Sequence, residues 1–317
     1  MGILSIFGGS SGVSFNPATD IPSQASKVIL VTGGNSGLGK ESILALAKYG
    51  SPAVIWLGAR SAERAQAAID DIHKAAPGAV IKAVDLDLSS FDSIKAAARR
   101  VLAESDRLDT LMLNAGIMAT PPAVTKEGYE IQFGTNHVGH ALLTKLLLPL
   151  IQKTMPINPD VRIIVLASIG HQLAPKEGIL FDTVKSSQEN ISSLTKYGQS
   201  KLSNIFFAAE LARRYPQIKS VAIHPGPVNT NLAVPFTKSN KILGGIINAV
   251  AAVTFVTPEK GAQGQLWAAT APSDAVISGE YYTPVGKLGQ GTTLSKDAAL
   301  AARLWEWTEK ELEGQTV

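Results

Sequence analysis

The chain has 317 residues, 45% apolar and 17% charged, which is material for one large buried core or two ordinary ones. Its net charge of +3 is too small for a nucleic-acid argument, and no stretch gathers Lys and Arg on one face. With no cysteine there can be no disulfide framework, thiol nucleophile or thiolate metal site; the composition fits a reducing, cytoplasmic setting.

Residues 1–26 read as a loosely ordered arm. Ile6 stands where a myristoylation signal wants a hydroxyl, and the short apolar stretch lacks the basic residues of a secretory signal. KVILVTG (27–33) is the first strand pattern, followed by a helical GKESILALAKYG with Gly50 as its C-cap. PAVIWLGAR (52–60) precedes the Ala-rich, 3.6-periodic SAERAQAAIDDIHKAAPG, and AVIKAVDLDL (79–88) precedes SSFDSIKAAARRVLAE. LDTLMLNAG (108–116), VRIIVLAS (161–168) and IKSVAIHPG (218–226) continue the alternation, and GEYYTP (279–284) reads as a last strand. LWEWTEKEL (304–312) reads as an amphipathic terminal helix whose Trp305 packs on the body.

Strand patterns rich in Val, Ile and Leu without clean alternation are buried on both faces, as in a parallel sheet between helix layers. The expected architecture is a single-domain, doubly wound α/β Rossmann fold, with a mostly parallel sheet of about seven strands, order 3-2-1-4-5-6-7, flanked by helices. The arm at 1–26 leads into a body at 27–290 and a helical tail at 291–317. Within the body, 229–258 is expected to form a substrate lid. Its core, ILGGIINAVAAVTFV (242–256), has 15 uncharged residues, fewer than the roughly 17–25 that span a bilayer. It reads as a buried helix or an apolar lid, with monotopic membrane contact as the rival reading.

The stretch GGNSGLGKE (33–41) follows the first strand and raises a choice of ligand. From Gly34 it runs G-x-x-x-x-G-K, but a triphosphate loop needs Ser or Thr next for Mg²⁺, and here Glu41 follows Lys40. The glycines instead form T-G-x-x-x-G-x-G, through Thr32, Gly33, Gly37 and Gly39. Such a loop makes a tight turn, lets backbone approach pyrophosphate and aims a helix start at negative charge. About 20 residues on, NAD-binding proteins place an acid for the ribose hydroxyl; this chain has Ala59 and Arg60 there. A guanidinium can receive a 2′-phosphate, so the reading favours NADP(H) over NAD(H).

KYGQSK sets Tyr197 and Lys201 four apart, on one helix face. A phenol titrating near 10 is a poor acid–base group at neutrality, and a neighbouring ammonium is expected to lower that value. Ser168, at the end of a strand, can present a hydroxyl to a carbonyl oxygen. Together these motifs resemble the short-chain dehydrogenase/reductase family, whose order of T-G-x-x-x-G-x-G, NAG (114–116), Ser, Y-x-x-x-K and PG (225–226) this chain reproduces across roughly residues 27 to 285. Within that family GARS, LDLSS, NAGIM, TNHVGHALLT and HPGPVNTNL are similar to retinol-dehydrogenase-like and fungal reductases.

The resemblance implies roles residue by residue. Tyr197 would exchange a proton with the substrate oxygen, Lys201 would lower its pKa and bind the nicotinamide ribose, and Ser168 would hydrogen-bond the substrate. Asn136 would support a proton-relay water. Gly33, Asn35, Ser36, Gly37, Leu38 and Gly39 would form the cofactor loop, with Arg60 at the 2′-phosphate and Asp87 and Leu88 at the adenine. Asn114, Ala115, Gly116, Pro225, Gly226 and Val228 are further cofactor positions; Thr230 would bind the nicotinamide amide. Asn114 has a second reading, as a tie within the central sheet. The Ser168–Tyr197 gap of 29 residues exceeds that of compact members. The extra chain, roughly Gly170 to Thr195, should form a loop beside the substrate entrance. His137, His140, His171 and His224 lack metal spacing and read as structural: the first two as helix surface or core, His224 as a strand end, and His171, just after Ser168, with reach of substrate only as its rival reading.

The expectation is an NADP(H)-dependent reductase of a hydrophobic ketone or aldehyde, in a fungal biosynthetic setting, acting as a monomer or homo-oligomer. The alternative of a different class is a catalytically silent NADP-binding regulatory or scaffold protein, although such proteins usually lose part of the Ser–Tyr–Lys set. A nucleotide-sugar epimerase or dehydratase would share Tyr and Lys but usually has a larger substrate domain.

Overall fold

The computed structural model describes residues 12–228 and 255–317. Among the described residues eight strands form one sheet in the order β3-β2-β1-β4-β5-β6-β7-β8. They are β1 (Val28–Thr32), β2 (Val54–Ala59), β3 (Ile81–Asp85), β4 (Thr110–Leu113), β5 (Arg162–Leu166), β6 (Lys219–Ile223), β7 (Tyr281–Thr283) and β8 (Lys287–Leu288). Every pairing is parallel except β7 with β8. The expected order therefore holds and gains a two-residue antiparallel edge, since Gly286 at φ +62° lets the chain double back after β7. β1, β4 and β5 are buried at every position, as their unalternating apolar sequences require.

The helices are α1 (Pro17–Asp20), α2 (Gly37–Ala45), α3 (Ala62–Ala75), α4 (Phe91–Glu104), α5 (Ile131–Phe133), α6 (Gly139–Thr154), α7 (Ser193–Arg214), α8 (Pro258–Thr270) and α9 (Ala298–Glu311). Sequence signals set their starts: Ser61, Ser90, Ser192, Thr257 and Asp297 each accept a backbone N–H of the first turn. One face of the sheet packs a core with α4, α6, α7 and α9; the other packs a core with α2, α3 and α8. Arg162 is buried at the base of β5, yet its guanidinium is satisfied by Asp160 and by the carbonyls of Ala268 and Ala271, which ties α8 to the sheet.

Two expectations change. Gly50 does not adopt the left-handed cap; α2 widens into a π-helical turn (Leu46–Gly50), and Ser51, at φ 51°, takes that role. Gly50 is small for a different reason: a Cβ there would stand 2.9 Å from Gln24 Cγ. Residues 12–26 are also not loose. Phe15 and Ile21 are buried in the second core, Gln24 N donates to Gly50 O at 2.7 Å, and Val13 N donates to Val285 O at 2.7 Å. The expected lid lies outside the described residues from 229 to 254. The chain leaves beside the point where it returns, because Val228 bridges Val256 and Val256 N donates to Pro227 O at 2.8 Å. Among the described residues no helix is long and apolar enough to cross a membrane.

Candidate active site

The sheet order reverses between β1 and β4, and the carboxyl ends of β1, β4, β5 and β6 carry the residues that the sequence singled out. Gly33 follows β1 at φ +67°, with its N–H and that of Gly34 donating to Gly58 O. Gly37, at φ +52°, opens α2, and Ser36 as N-cap gives no side-chain bond to the first turn. That turn contains no acidic residue, so its amides offer positive potential to an anion. Asn35 and Leu38 are half-buried, Ser36 is exposed, and Gly39 packs where any side chain would strike Gly33 O. Lys40 pairs with Asp71 at 2.7 Å on the surface, leaving it no part in a triphosphate loop.

Arg60 follows β2 on the surface, with no ion pair among the described residues. After β3, the Asp87 carboxylate is held by the N–H and hydroxyl of Ser89 at 2.9 and 2.7 Å. Leu88 turns into the core, and its carbonyl lies against Gly139. After β4, Asn114 Nδ2 donates to Thr32 O at 2.8 Å, and Gln265 Nε2 donates to Asn114 Oδ1 at 3.3 Å. This side chain is therefore a tie between β1, β4 and α8. Ala115 N donates to Thr32 Oγ1 at 2.9 Å.

Ser168 ends the segment after β5, and its hydroxyl accepts Gly170 N at 3.0 Å. Tyr197 and Lys201 lie on α7, only 5% and 4% exposed. Lys201 Nζ donates to Leu166 O at 2.9 Å and stands 5.8 Å from the Tyr197 ring centroid. Gly116 separates Lys201 from Asn136: a Cβ there would be 3.4 Å from Lys201 Nζ and 3.3 Å from Asn136 Oδ1. Asn136 sits in a π-helical turn (Gly134–Val138) between α5 and α6. Its amide brackets Ile117, accepting its N–H and donating to its carbonyl, both at 2.9 Å, and also donates to Ser200 Oγ at 2.9 Å. Thus Ser168 after β5, Tyr197 and Lys201 on α7, and Asn136 in the π turn converge from three elements. Pro225, Gly226 (φ +86°) and Val228 follow β6 and are half-buried, while Thr230 lies outside the described residues.

The expected lowering of the Tyr197 pKa does not occur. Burial pushes the phenol up to about 12, the Ser168 hydroxyl pulling the other way, and burial pulls Lys201 down to about 8. Lys201 is itself buried, and its ammonium bonds Leu166 O rather than the phenol.

Two groups near the site had little sequence signal. His140 is buried core: its Nδ1 faces Asn136 O at 3.0 Å and its Nε2 faces Thr32 Oγ1 at 2.9 Å. A carbonyl only accepts, so Nδ1 carries the proton and Thr32 donates to Nε2. The pair thereby locks the glycine-loop strand to the π turn; the four-residue spacing from Asn136 was the one signal available. His137 is buried core as well, with Nε2 3.0 Å from Thr308 Oγ1 on α9. His224 ends β6 as expected. The long segment after Ser168 makes a 3₁₀ turn (Ile169–Leu173) and then packs Ile179 and Val184 into the core, with Phe181 against Trp307 of α9. Trp305 stacks on Phe207 at 5.7 Å, as the terminal-helix reading expects. Among the described residues no cluster of His, Asp or Glu is arranged to hold a metal.

The fold is a doubly wound dinucleotide-binding α/β fold, with a Ser, Tyr, Lys and Asn cluster at its switch point. The short chain dehydrogenase family model matches residues 27–241. A short-chain dehydrogenase/reductase of Aspergillus calidoustus, drtF, is 38% identical over 306 residues, covering 92% of this chain and 95% of that one. Retinol dehydrogenase 14 of Homo sapiens is 34% identical over 304 residues, covering 89% and 85%. A crystal structure of a protein from Mycobacterium Paratuberculosis superposes with TM-score 0.71 at 29% identity, covering 95% of this chain and 97% of that one. The chain belongs to the short-chain dehydrogenase/reductase family of oxidoreductases.

Proposed function

We propose that the protein is an NADP(H)-dependent oxidoreductase that interconverts a carbonyl and an alcohol on a hydrophobic small molecule, acting mainly as a ketone or aldehyde reductase. The observation that carries this reading is the convergence of Ser168, Tyr197, Lys201 and Asn136 beside the glycine loop. The donor set suits a dinucleotide: an uncapped, acid-free helix start at Gly37, a buried ammonium at Lys201, and an exposed guanidinium at Arg60. When bound, the nicotinamide supplies the hydride. Gly33, Ser36, Gly37, Leu38 and Gly39 would hold the pyrophosphate, Arg60 the 2′-phosphate, and Lys201 the ribose.

Ser168 orients the substrate by donating its hydroxyl to the carbonyl oxygen, and Tyr197 donates its phenolic proton to the same atom. With burial keeping the phenol protonated far above neutrality, Tyr197 rests in the form that reduction needs. The phenolate left after transfer lies within reach of the Lys201 charge. Hydrophobic substrates are favoured by the apolar composition of 242–256, and a fungal setting is supported by the likeness to the Aspergillus chain. The test is NADPH oxidation over a panel of hydrophobic ketones, aldehydes and quinones, with Tyr197→Phe beside the wild type. Turnover by the wild type should fall about 10²–10⁴-fold in the variant, with cofactor binding kept; equal rates would refute the role of Tyr197.

A further inference from the structure

Beside Ser168 and Tyr197, two buried polar atoms have no partner among the described residues. His171 is 2% exposed, and its Nδ1 lies 2.7 Å from Ser168 O. That carbonyl only accepts, so Nδ1 carries the proton, and Nε2 is a neutral lone-pair acceptor that no described residue bonds. Tyr281, on β7, is 8% exposed, and its hydroxyl is likewise buried without a partner. The two rings meet edge to face, centroids 5.3 Å apart at 78°, yet no hydrogen bond joins them. Buried groups of this kind are normally satisfied, and an exception asks for an occupant.

Both residues belong to the shell of the reacting groups. Gly170, which precedes His171, lies so close to the Tyr197 ring that a Cβ would be 2.8 Å from Tyr197 Cε1. The Tyr281 phenol is held above its ordinary range, by burial first and by Tyr197 second. His171 comes from the long segment after β5, and Tyr281 from the strand beside β6, so they flank the Ser168 end of the site.

We propose that His171 Nε2 and the Tyr281 hydroxyl form a subsite for a hydroxyl group carried by the carbonyl substrate. This deepens the proposed reduction and rests on it. A hydroxyl donates to Nε2 while accepting from Tyr281, so one group satisfies both atoms. A second carbonyl or an ether would satisfy Tyr281 alone, and a hydrocarbon neither. The substrate class is therefore a hydroxylated ketone or aldehyde on an apolar skeleton. A site built to bond a hydroxyl discriminates strongly against the analogue lacking it.

The test measures binding of α-tetralone and its ring-hydroxylated isomers to the protein saturated with NADP⁺, by calorimetric titration. The comparison includes wild type, Tyr281→Phe and His171→Asn; the asparagine amide can still donate to Ser168 O but offers no acceptor at the Nε2 position. At least one isomer should bind wild type about tenfold or more tightly than α-tetralone, a difference of about 1.4 kcal/mol. That ratio should collapse toward one in each folded variant. No isomer gaining over the parent, as when a trapped water fills the pair, overturns the proposal, as does a preference that survives both substitutions. The same compounds, run with NADPH, separate the two readings: hydroxyl-selective binding without NADPH oxidation by any carbonyl compound sinks the reductase assignment and leaves the subsite standing.

Discussion

Replacing Gly39 with alanine tests whether the glycine loop is the cofactor cradle. The new Cβ would stand 2.3 Å from Gly33 O and 2.6 Å from Asn114 Nδ2. Real Cβ atoms do not approach below 3.0 Å, so something must move by 0.7 Å (3.0 minus 2.3). Neither neighbour yields easily: Gly33 N is bonded to Gly58 O at 2.8 Å, and Asn114 Nδ2 to Thr32 O at 2.8 Å. Overpacking of this kind costs about 1–3 kcal/mol, and alanine's better helix propensity returns up to about 1 kcal/mol. With the full propensity gain the net loss in unfolding free energy is about 0–2 kcal/mol, read from urea midpoints. The displaced loop also reshapes the amides at the start of α2, so NADPH affinity, read by nicotinamide fluorescence, should fall at least about tenfold. Wild type should gain about 2.7 kcal/mol at a hundredfold excess of NADPH over Kd, and the variant much less. Gly78→Ala is the control, since nothing lies within 4 Å of its Cβ; it should stay within about 0.5 kcal/mol of wild type. A Gly39→Ala protein that melts and binds NADPH like wild type would refute the reasoning.

Three further outcomes follow from the geometry. Arg60→Glu should weaken NADPH binding by about tenfold or more while sparing NADH, because a carboxylate repels the 2′-phosphate that a guanidinium holds; unchanged selectivity would remove Arg60 from the site. His137, His140 and His224 are buried neutral, held down to about 3, 4 and 4, chiefly by burial. Unfolded imidazoles take up protons below about 6.5 while these do not. Stability is therefore full above that pH and lost as pH falls toward 4, with a limiting slope of about 1.4 kcal/mol per pH unit for each histidine. Urea midpoints across this range should show the loss, and His140→Gln should flatten it; parallel curves would contradict the assignment. Trp305→Ala removes the stack on Phe207 and the Arg214 contact at 4.9 Å, and should cost about 2–4 kcal/mol by thermal denaturation. A loss under about 0.5 kcal/mol would mean that α9 is held by other contacts.

Much of the fold was legible because its signals are local. Val28–Thr32 and Arg162–Leu166 are apolar at both parities, and only a parallel sheet covered on both faces buries such strands. The helical runs after β2 and β3 were readable too, and Ser61 and Ser90 cap them with side chains that need only their own first turn. Tyr197 and Lys201 could be paired from the sequence because four residues is a helix-face distance. Gly50 was misread because its smallness answers to Gln24, a neighbour in space rather than along the helix. The arm was misread because Phe15 and Ile21 find their pocket only once the second core exists.

The order of motifs along the chain, each with a local physical requirement, determined the class of fold, the glycine loop and the candidate Ser168, Tyr197 and Lys201. What only the tertiary structure decided was the environment of those groups. Burial raised Tyr197 rather than lowering it, because desolvation depends on everything packed around α7. The same packing brought His171 and Tyr281, 110 residues apart in sequence, ring to ring beside the catalytic candidates. That their two polar atoms find no partner among the described residues follows from long-range contacts between the segment after β5 and the strand beside β6, which no window of sequence contains.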